Sequence, residues 1–166
     1  MRIRIFAFLF IVIFFSGCSQ KTVFSPEALN DGFSCVVEIN YKKTEIKTKL
    51  TSKMPGAYCF EIFSPPVLNG LTLDFDGENV TMKYFGISYS AKPENLPETA
   101  FADIIKDAVY EASKAKTVNV LKKNGCEVLS GTCKNGKYSL ILENGFLKTL
   151  SIPGAELTAE FKNTEK

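Results

Sequence analysis

The sequence predicts an α+β fold. A curved antiparallel sheet of about nine or ten strands, an incomplete β-barrel, wraps around one long helix, with a short helix at its N-terminal end. Three observations predict this. From Phe33 onward most segments alternate apolar and polar residues with period two. Tight-turn pairs, Asp76-Gly77, Asn124-Gly125, Asn135-Gly136 and Asn144-Gly145, separate the alternating runs. One segment alone, "ETAFADIIKDAVYEASKAK", carries the helical period. A single helix cannot cover so wide a sheet lying flat, so the sheet has to curl around it.

The chain opens with Arg2 and Arg4, then eleven apolar residues from Ile5 to Phe15, and then "SGCSQK". A bilayer-spanning helix needs about 20 apolar residues, so this run is short for an anchor and matches a secretory signal peptide. Phe15-Ser16-Gly17-Cys18 resembles the lipobox of bacterial lipoproteins, L-[AS]-[GA]-C, with Phe in place of the leading Leu. That resemblance implies a signal peptide over 1–17 and a thioether-linked diacylglycerol on Cys18, which becomes the first residue of the mature chain. The competing reading is an uncleaved N-terminal membrane helix. The lipidated tether would run over 18–24, its six residues 19–24 reaching at most about 20 Å, and a single domain would fill 25–166. The expected location is outside the cytoplasm, on the cell membrane, held by the N-terminal lipid.

In "SPEALNDG", Ser25 caps a short helix, Pro26 takes its first position and Gly32 stops it. In "FSCVVEINY", Phe33, Cys35, Val37, Ile39 and Tyr41 share a face. In "EIKTKL", Ile46, Thr48 and Leu50 oppose Glu45, Lys47 and Lys49, a half-buried strand. "AYCFEIF" reads as a third strand, apolar on nearly both faces. After Ser64-Pro65-Pro66, Leu71, Leu73 and Phe75 alternate with polar residues up to Asp76-Gly77, and Val80, Met82 and Tyr84 alternate after it. Phe101, Ile104, Ile105, Ala108, Val109 and Ala112 then form one stripe of a helix from about Glu98 to Ala115. The remaining strands are expected near 117–122, 126–133, 138–143, 146–152 and 157–161.

Composition narrows the chemistry. The mature chain, 149 residues from Cys18 to Lys166, would keep 18 basic and 18 acidic residues, a net charge of zero. It therefore lacks the basic excess with which proteins neutralise phosphates, and nucleic acid is not an expected partner. The sequence has no histidine, which removes Ser-His-Asp and Cys-His catalysis and the commonest metal ligand. No nucleophile motif stands out, so a non-enzymatic role without cofactor, catalytic residue or metal site is expected. "DFDGEN" at 74–79 offers calcium-type oxygens, but strands flank it where a calcium loop needs a helix with a distal Glu, and the turn reading prevails. Glu38, Glu61, Asp74 and Glu143 read as solvated strand faces.

Besides Cys18, the cysteines are Cys35, Cys59, Cys126 and Cys133. Cys35 and Cys59 read as small apolar residues with free thiols. For Cys126 and Cys133 two readings stay open: free thiols, or a disulfide. Along one straight strand they stand more than about 20 Å apart, so a bond requires a bend at Ser130-Gly131.

The inward apolar positions, Phe33, Val37, Ile46, Leu50, Phe60, Ile62, Leu71, Leu73, Phe75, Met82, Tyr84, Phe101, Ile105 and Val109, line either a ligand-accessible groove or a closed core. "SPPVLNGLTLDFDGENVTMKYFGISY" with "LPETAFADIIKDAV", and "GKYSLILENGFLKTLSIPGAELTAEFKN" near the C-terminus, resemble small bacterial lipoproteins of the LolA/LolB-like superfamily over about Phe33 to Asn163. The resemblance implies a half-barrel closed by helices around an apolar cavity, and a role in binding acyl chains or another hydrophobic ligand. The Lys/Asn-rich style is similar to versions from Gram-positive anaerobes. Among these the clostridial spore-germination lipoprotein, similar in fold, acts through a cell-wall amidase. The alternative role is accordingly an interaction module that holds or activates a cell-envelope partner.

Overall fold

The computed structural model describes residues 27–92, 95, 101–114, 119–123 and 126–165. The leader, Cys18 with Phe15, Ser16 and Gly17, the tether, Ser25, Pro26 and the Asn124-Gly125 turn lie outside the described residues. A four-residue helix α1 (Glu27–Asn30) comes first. The strands β1 (Phe33–Tyr41), β2 (Thr44–Met54), β3 (Ala57–Ser64), β4 (Thr72–Phe75), β5 (Val80–Tyr84) and β6 (Ile87–Ala91) follow. Helix α2 (Phe101–Lys114) leads to β7 (Asn119–Lys123), β8 (Cys126–Cys133), β9 (Gly136–Glu143), β10 (Phe146–Ile152) and β11 (Leu157–Glu165). Among the described residues eleven strands form one antiparallel sheet, in the order β6-β5-β4-β3-β2-β1-β11-β10-β9-β8-β7. Two meanders are thus joined where β1 pairs with β11, Val37 opposite Phe161 and Ile39 opposite Ala159.

Helix α2 links β6 to β7, the two outermost strands, so the chain must pass from one edge of the sheet to the other. Its contacts show that the sheet curls to meet it. The Lys106 ammonium lies 5.2 Å from the Phe75 ring of β4. The neighbouring Asp107 carboxylate accepts the Lys134 backbone N–H, 3.1 Å away in the β8–β9 turn. In a flat sheet, β4 and β8 would stand about 34 Å apart. Adjacent helix residues cannot bridge that distance, so the sheet is an unclosed half-barrel with the helix in its hollow.

The helix is shorter than expected. It has 14 described residues and spans about 21 Å; residues 98–100 and 115 lie outside the described ones. A helix of this length suffices because the sheet comes to it. Its stripe is buried as expected, with Ile105, Ala108, Val109 and Ala112 at 0% exposure, and Ala102 beside it is buried as well. Leu29 of α1, also fully buried, adds to the same core.

The sheet buries one face. In β2, Ile46, Thr48, Leu50 and Ser52 are buried, while Glu45, Lys47 and Lys49 face water. The buried Thr48 hydroxyl donates to the Glu61 carbonyl at 2.8 Å, which removes the cost of an unpaired polar group. Strand β3 departs from expectation. Tyr58, Phe60 and Ile62 are buried, but Glu61 is exposed and Phe63 is 49% exposed, so only one face is interior. At the centre, the Phe60 ring meets Phe75 and Phe101 edge-on, with centroids 6.0 and 6.3 Å away.

The strand missed in the sequence is β6. Tyr84-Phe85-Gly86-Ile87 closes a two-residue hairpin whose central residues both have positive φ, 46° at Phe85 and 79° at Gly86. Such turns favour Asn-Gly, and a phenylalanine in the first position hides the signal. Lys42 and Lys43, at φ 48° and 67°, turn β1 into β2 in the same unsignalled way. Asn144 and Gly145, at 51° and 78°, follow the expected chemistry.

The disulfide reading of Cys126 and Cys133 is corrected. Both thiols are free, at opposite ends of the unbroken strand β8. Its pairing with β9 runs through Ser130 and Gly131 without a register shift. Gly131 serves a different purpose from a bend. A Cβ there would lie 2.4 Å from the Tyr138 hydroxyl oxygen, because the Tyr138 ring crosses the strand at that point.

Candidate functional site

Most of the residues expected to line a groove are buried in one core cluster. Phe33, Val37, Ile46, Leu50, Phe60, Ile62, Leu73, Phe75, Phe101, Ile105 and Val109 are buried at 9% exposure or less. Leu71, Met82 and Tyr84 are half-buried, and these three point to where the apolar surface opens.

The opening follows from strand register. Directly opposed residues in an antiparallel pair point to the same side. Phe75 stands opposite Val80, and Val80 opposite Ala91. Leu73 stands opposite Met82, and Met82 opposite Tyr89. Tyr84 stands opposite Ile87. All of these face the concave side, and their exposure rises outward: Leu73 is 9% exposed, Met82 is half-buried and Tyr89 is 59% exposed. Ile87 reaches 74%. The convex side of the same hairpin is polar, with Thr81 Oγ1 2.8 Å from Ser90 Oγ and with Lys83 and Ser88 in the same set. The apolar lining of the half-barrel therefore continues past the core to the rim.

At the rim the hairpin tip joins the turn after β3. The Tyr84 hydroxyl donates to the Val67 carbonyl at 2.7 Å, and the Tyr84 and Phe85 rings lie 4.4 Å apart. Val67 is 72% exposed and Phe85 84%. The sequence does not single out Phe85, Ile87, Tyr89 or Val67. The available signal was Gly86 between two alternating runs, "VTMKY" and "ISYSA".

Phe85 holds an unfavourable backbone conformation for a bulky residue while gaining no burial. Phe85→Asn is expected to raise stability by about 0.5–1 kcal/mol, since Asn-Gly suits this turn. Denaturant melts of the two proteins check this. A variant less stable than the parent would show that the ring holds the hairpin together.

The polar candidates are occupied with structural work. The Asp76 carboxylate accepts the Glu78 and Asn79 backbone N–H groups at 2.9 and 2.6 Å. These bonds hold its carboxyl below the usual range and close the turn expected there. Glu38 on the convex face pairs with Lys162 and with Lys47 at 3.0 Å, and these ammonium groups lower its pKa. A shallow depression of about 340 Å³ beside it is lined by such polar groups and by Asn40, Glu45 and Thr158. Glu143 pairs with Lys148 at 3.1 Å. Glu61 and Asp74 also lie on the convex strand face. Among the described residues no cluster of three or more His, Cys, Asp or Glu could hold a metal ion, and no helix is long and apolar enough to cross a membrane.

Burial pushes Cys35, Tyr58 and Tyr138 up to about 12. The ordinary values are 9.0 for a thiol and 10.0 for a phenol. The folded chain therefore keeps protons that the unfolded chain releases as pH rises. Their contribution to stability is complete below pH 9.0 and lost progressively toward about 12. Urea midpoints are expected to be unaffected by these groups below pH 9.0 and to fall above it, with the first part of the fall smaller in Cys35→Ala. A flat alkaline profile would contradict this.

No family model matches the sequence, and no curated protein matches it. The fold has solved counterparts. An uncharacterised conserved protein from Thermus thermophilus is similar with a TM-score of 0.56 at 9% identity, over 86% of this chain and 82% of that one. A LolA superfamily protein from Nitrosomonas europaea is similar with a TM-score of 0.43 at 8% identity, over 89% and 92%. A DUF1329 family protein from Desulfovibrio piger is similar with a TM-score of 0.37 at 13% identity, over 84% and 88%. The likeness to the Thermus protein shows a shared fold.

Proposed function

We propose that the chain is a membrane-tethered, non-enzymatic lipoprotein that binds acyl chains or a similar apolar ligand at the open rim of its half-barrel. The observation that carries this reading is the uninterrupted apolar row from Leu73 through Met82 to Tyr89, flanked by Tyr84 and Ile87. A soluble fold usually ends such a face at the edge of its core; here the row runs outward to side chains more than half exposed. An acyl chain laid along it would gain about 0.8 kcal/mol for each methylene removed from water, with no charged contact needed. The lipobox-like Phe15-Ser16-Gly17-Cys18 supports the tether, which would hold the rim near the lipid surface.

The test uses Cys18→Ser protein made without the leader and purified without detergent. Lipid extracts are expected to contain co-purifying acyl lipid, and the protein is expected to bind a fluorescent fatty-acid probe. Tyr89→Lys and Ile87→Lys should each weaken the probe by at least about tenfold, each removing about 1.5–3 kcal/mol of apolar contact. A lipid-free protein that ignores the probe would sink this reading. The exposed rim would then serve as a docking surface for a cell-envelope partner such as a cell-wall amidase.

A further inference from the structure

We infer that two copies of this chain pair edge to edge through β6, joining their sheets antiparallel about Tyr89. A different property of the hairpin carries this, the backbone edge of β6 that no strand covers among the described residues and not its apolar face, so it does not rest on the acyl-chain reading.

The sheet has two outer strands among the described residues, and they differ. Outer strands present unpaired N–H and C=O groups, and proteins usually guard them with charges or proline. Strand β7 carries Lys122 and Lys123. Strand β6, Ile87-Ser88-Tyr89-Ser90-Ala91, carries no charge and no proline, and Ile87 to Ser90 are all exposed.

The hairpin decides which groups point outward. Its turn has two residues, so the flanking Tyr84 and Ile87 form a hydrogen-bonded pair, and bonding alternates from there. Ile87, Tyr89 and Ala91 thus spend their backbone groups on β5. The N–H and C=O of Ser88 and Ser90 face away from the sheet.

The sequence of β6 reads alike in both directions, apolar, Ser, Tyr, Ser, apolar. Two-fold antiparallel pairing about Tyr89 sets Ser88 opposite Ser90 of the partner subunit and Ile87 opposite Ala91 of the partner subunit. Each outward serine N–H and C=O then finds a mate, four hydrogen bonds in all by this count. No like charges meet, and a self-complementary strand is what an isologous interface requires. The apolar side chains of both copies fall on the same side, which joins the two rims. Tethering on one membrane would raise the local concentration of copies and favour so small a contact.

Cross-linking of the full chain in its own membranes tests the register. Tyr89 would face Tyr89 of the partner subunit as a non-hydrogen-bonded pair, with Cα atoms about 4.5 Å apart, inside disulfide reach. Tyr89→Cys is expected to give a disulfide-linked dimer under mild oxidation, well above the background of the native cysteines. Ser88→Cys is expected not to, since two copies of that position would be more than about 7 Å apart. Ser90→Pro removes an outward donor while leaving the β5–β6 ladder intact. It should weaken self-association of the detergent-solubilised full chain at least about tenfold in sedimentation, yet leave binding of the fatty-acid probe unchanged. That last arm separates the two readings. A monomeric parent chain, a dimer that survives Ser90→Pro, or a Tyr89→Cys chain that cross-links no better than Ser88→Cys would overturn the inference.

Discussion

Phe60→Ala is expected to lower the stability of the domain by about 3–5 kcal/mol, a large share of the about 5–15 kcal/mol typical of folded domains. Phe60 has no exposed surface, and its ring meets both β4, through Phe75, and α2, through Phe101. Truncation removes the transfer energy of a benzyl group. It also leaves a void that neither a sheet hydrogen-bonded on both sides nor the helix can readily fill. Phe60→Leu keeps most of the volume and should cost much less. Chemical denaturation of the three proteins measures the difference. An alanine variant within about 1 kcal/mol of the parent would mean that the hollow under the helix is loosely filled, which would also revive a groove at the centre of the half-barrel.

With the leader exchanged for one that an ordinary signal peptidase removes, Cys18→Ser is expected to move the protein from the membrane fraction to the soluble fraction almost completely. Two acyl chains give stable attachment where one gives only marginal binding, and serine can form no thioether. The mature protein should begin at Cys18 and carry the mass of its lipid, and the variant should lack that mass. A parent chain that keeps Met1 and carries no lipid mass would instead establish the uncleaved membrane helix. This outcome bears on both proposals, because a tether would bring the apolar rim to the lipid surface and would crowd copies together there.

The core was legible because burial is written as periodicity. Spacing alone puts Val37, Ile46, Leu50, Ile105 and Val109 in the interior, and all five are buried. The helix stripe, the Asp76 turn and the Asn144-Gly145 turn were legible for the same reason, local chemistry with one satisfactory geometry. Strand β6 escaped because its turn is made by Phe85-Gly86, a pair whose left-handed geometry the rest of the hairpin imposes. The exposed face of β3 escaped because Phe63 is as apolar as its buried neighbours, and nothing in the residue type tells inside from outside.

The sequence by itself determined the class of fold, most of the strands on either side of the helix, the residues of the core and the absence of histidine-based chemistry. Those follow from residue type and spacing, which act within a few residues along the chain. Only the tertiary structure decided that most of the groove candidates are buried, that Cys126 and Cys133 stand apart, and that the apolar row runs out to an unguarded edge. Each depends on which strands become neighbours and how far the helix reaches over them. Those are long-range pairings, and the same alternating pattern fits a covered strand and an open rim equally well.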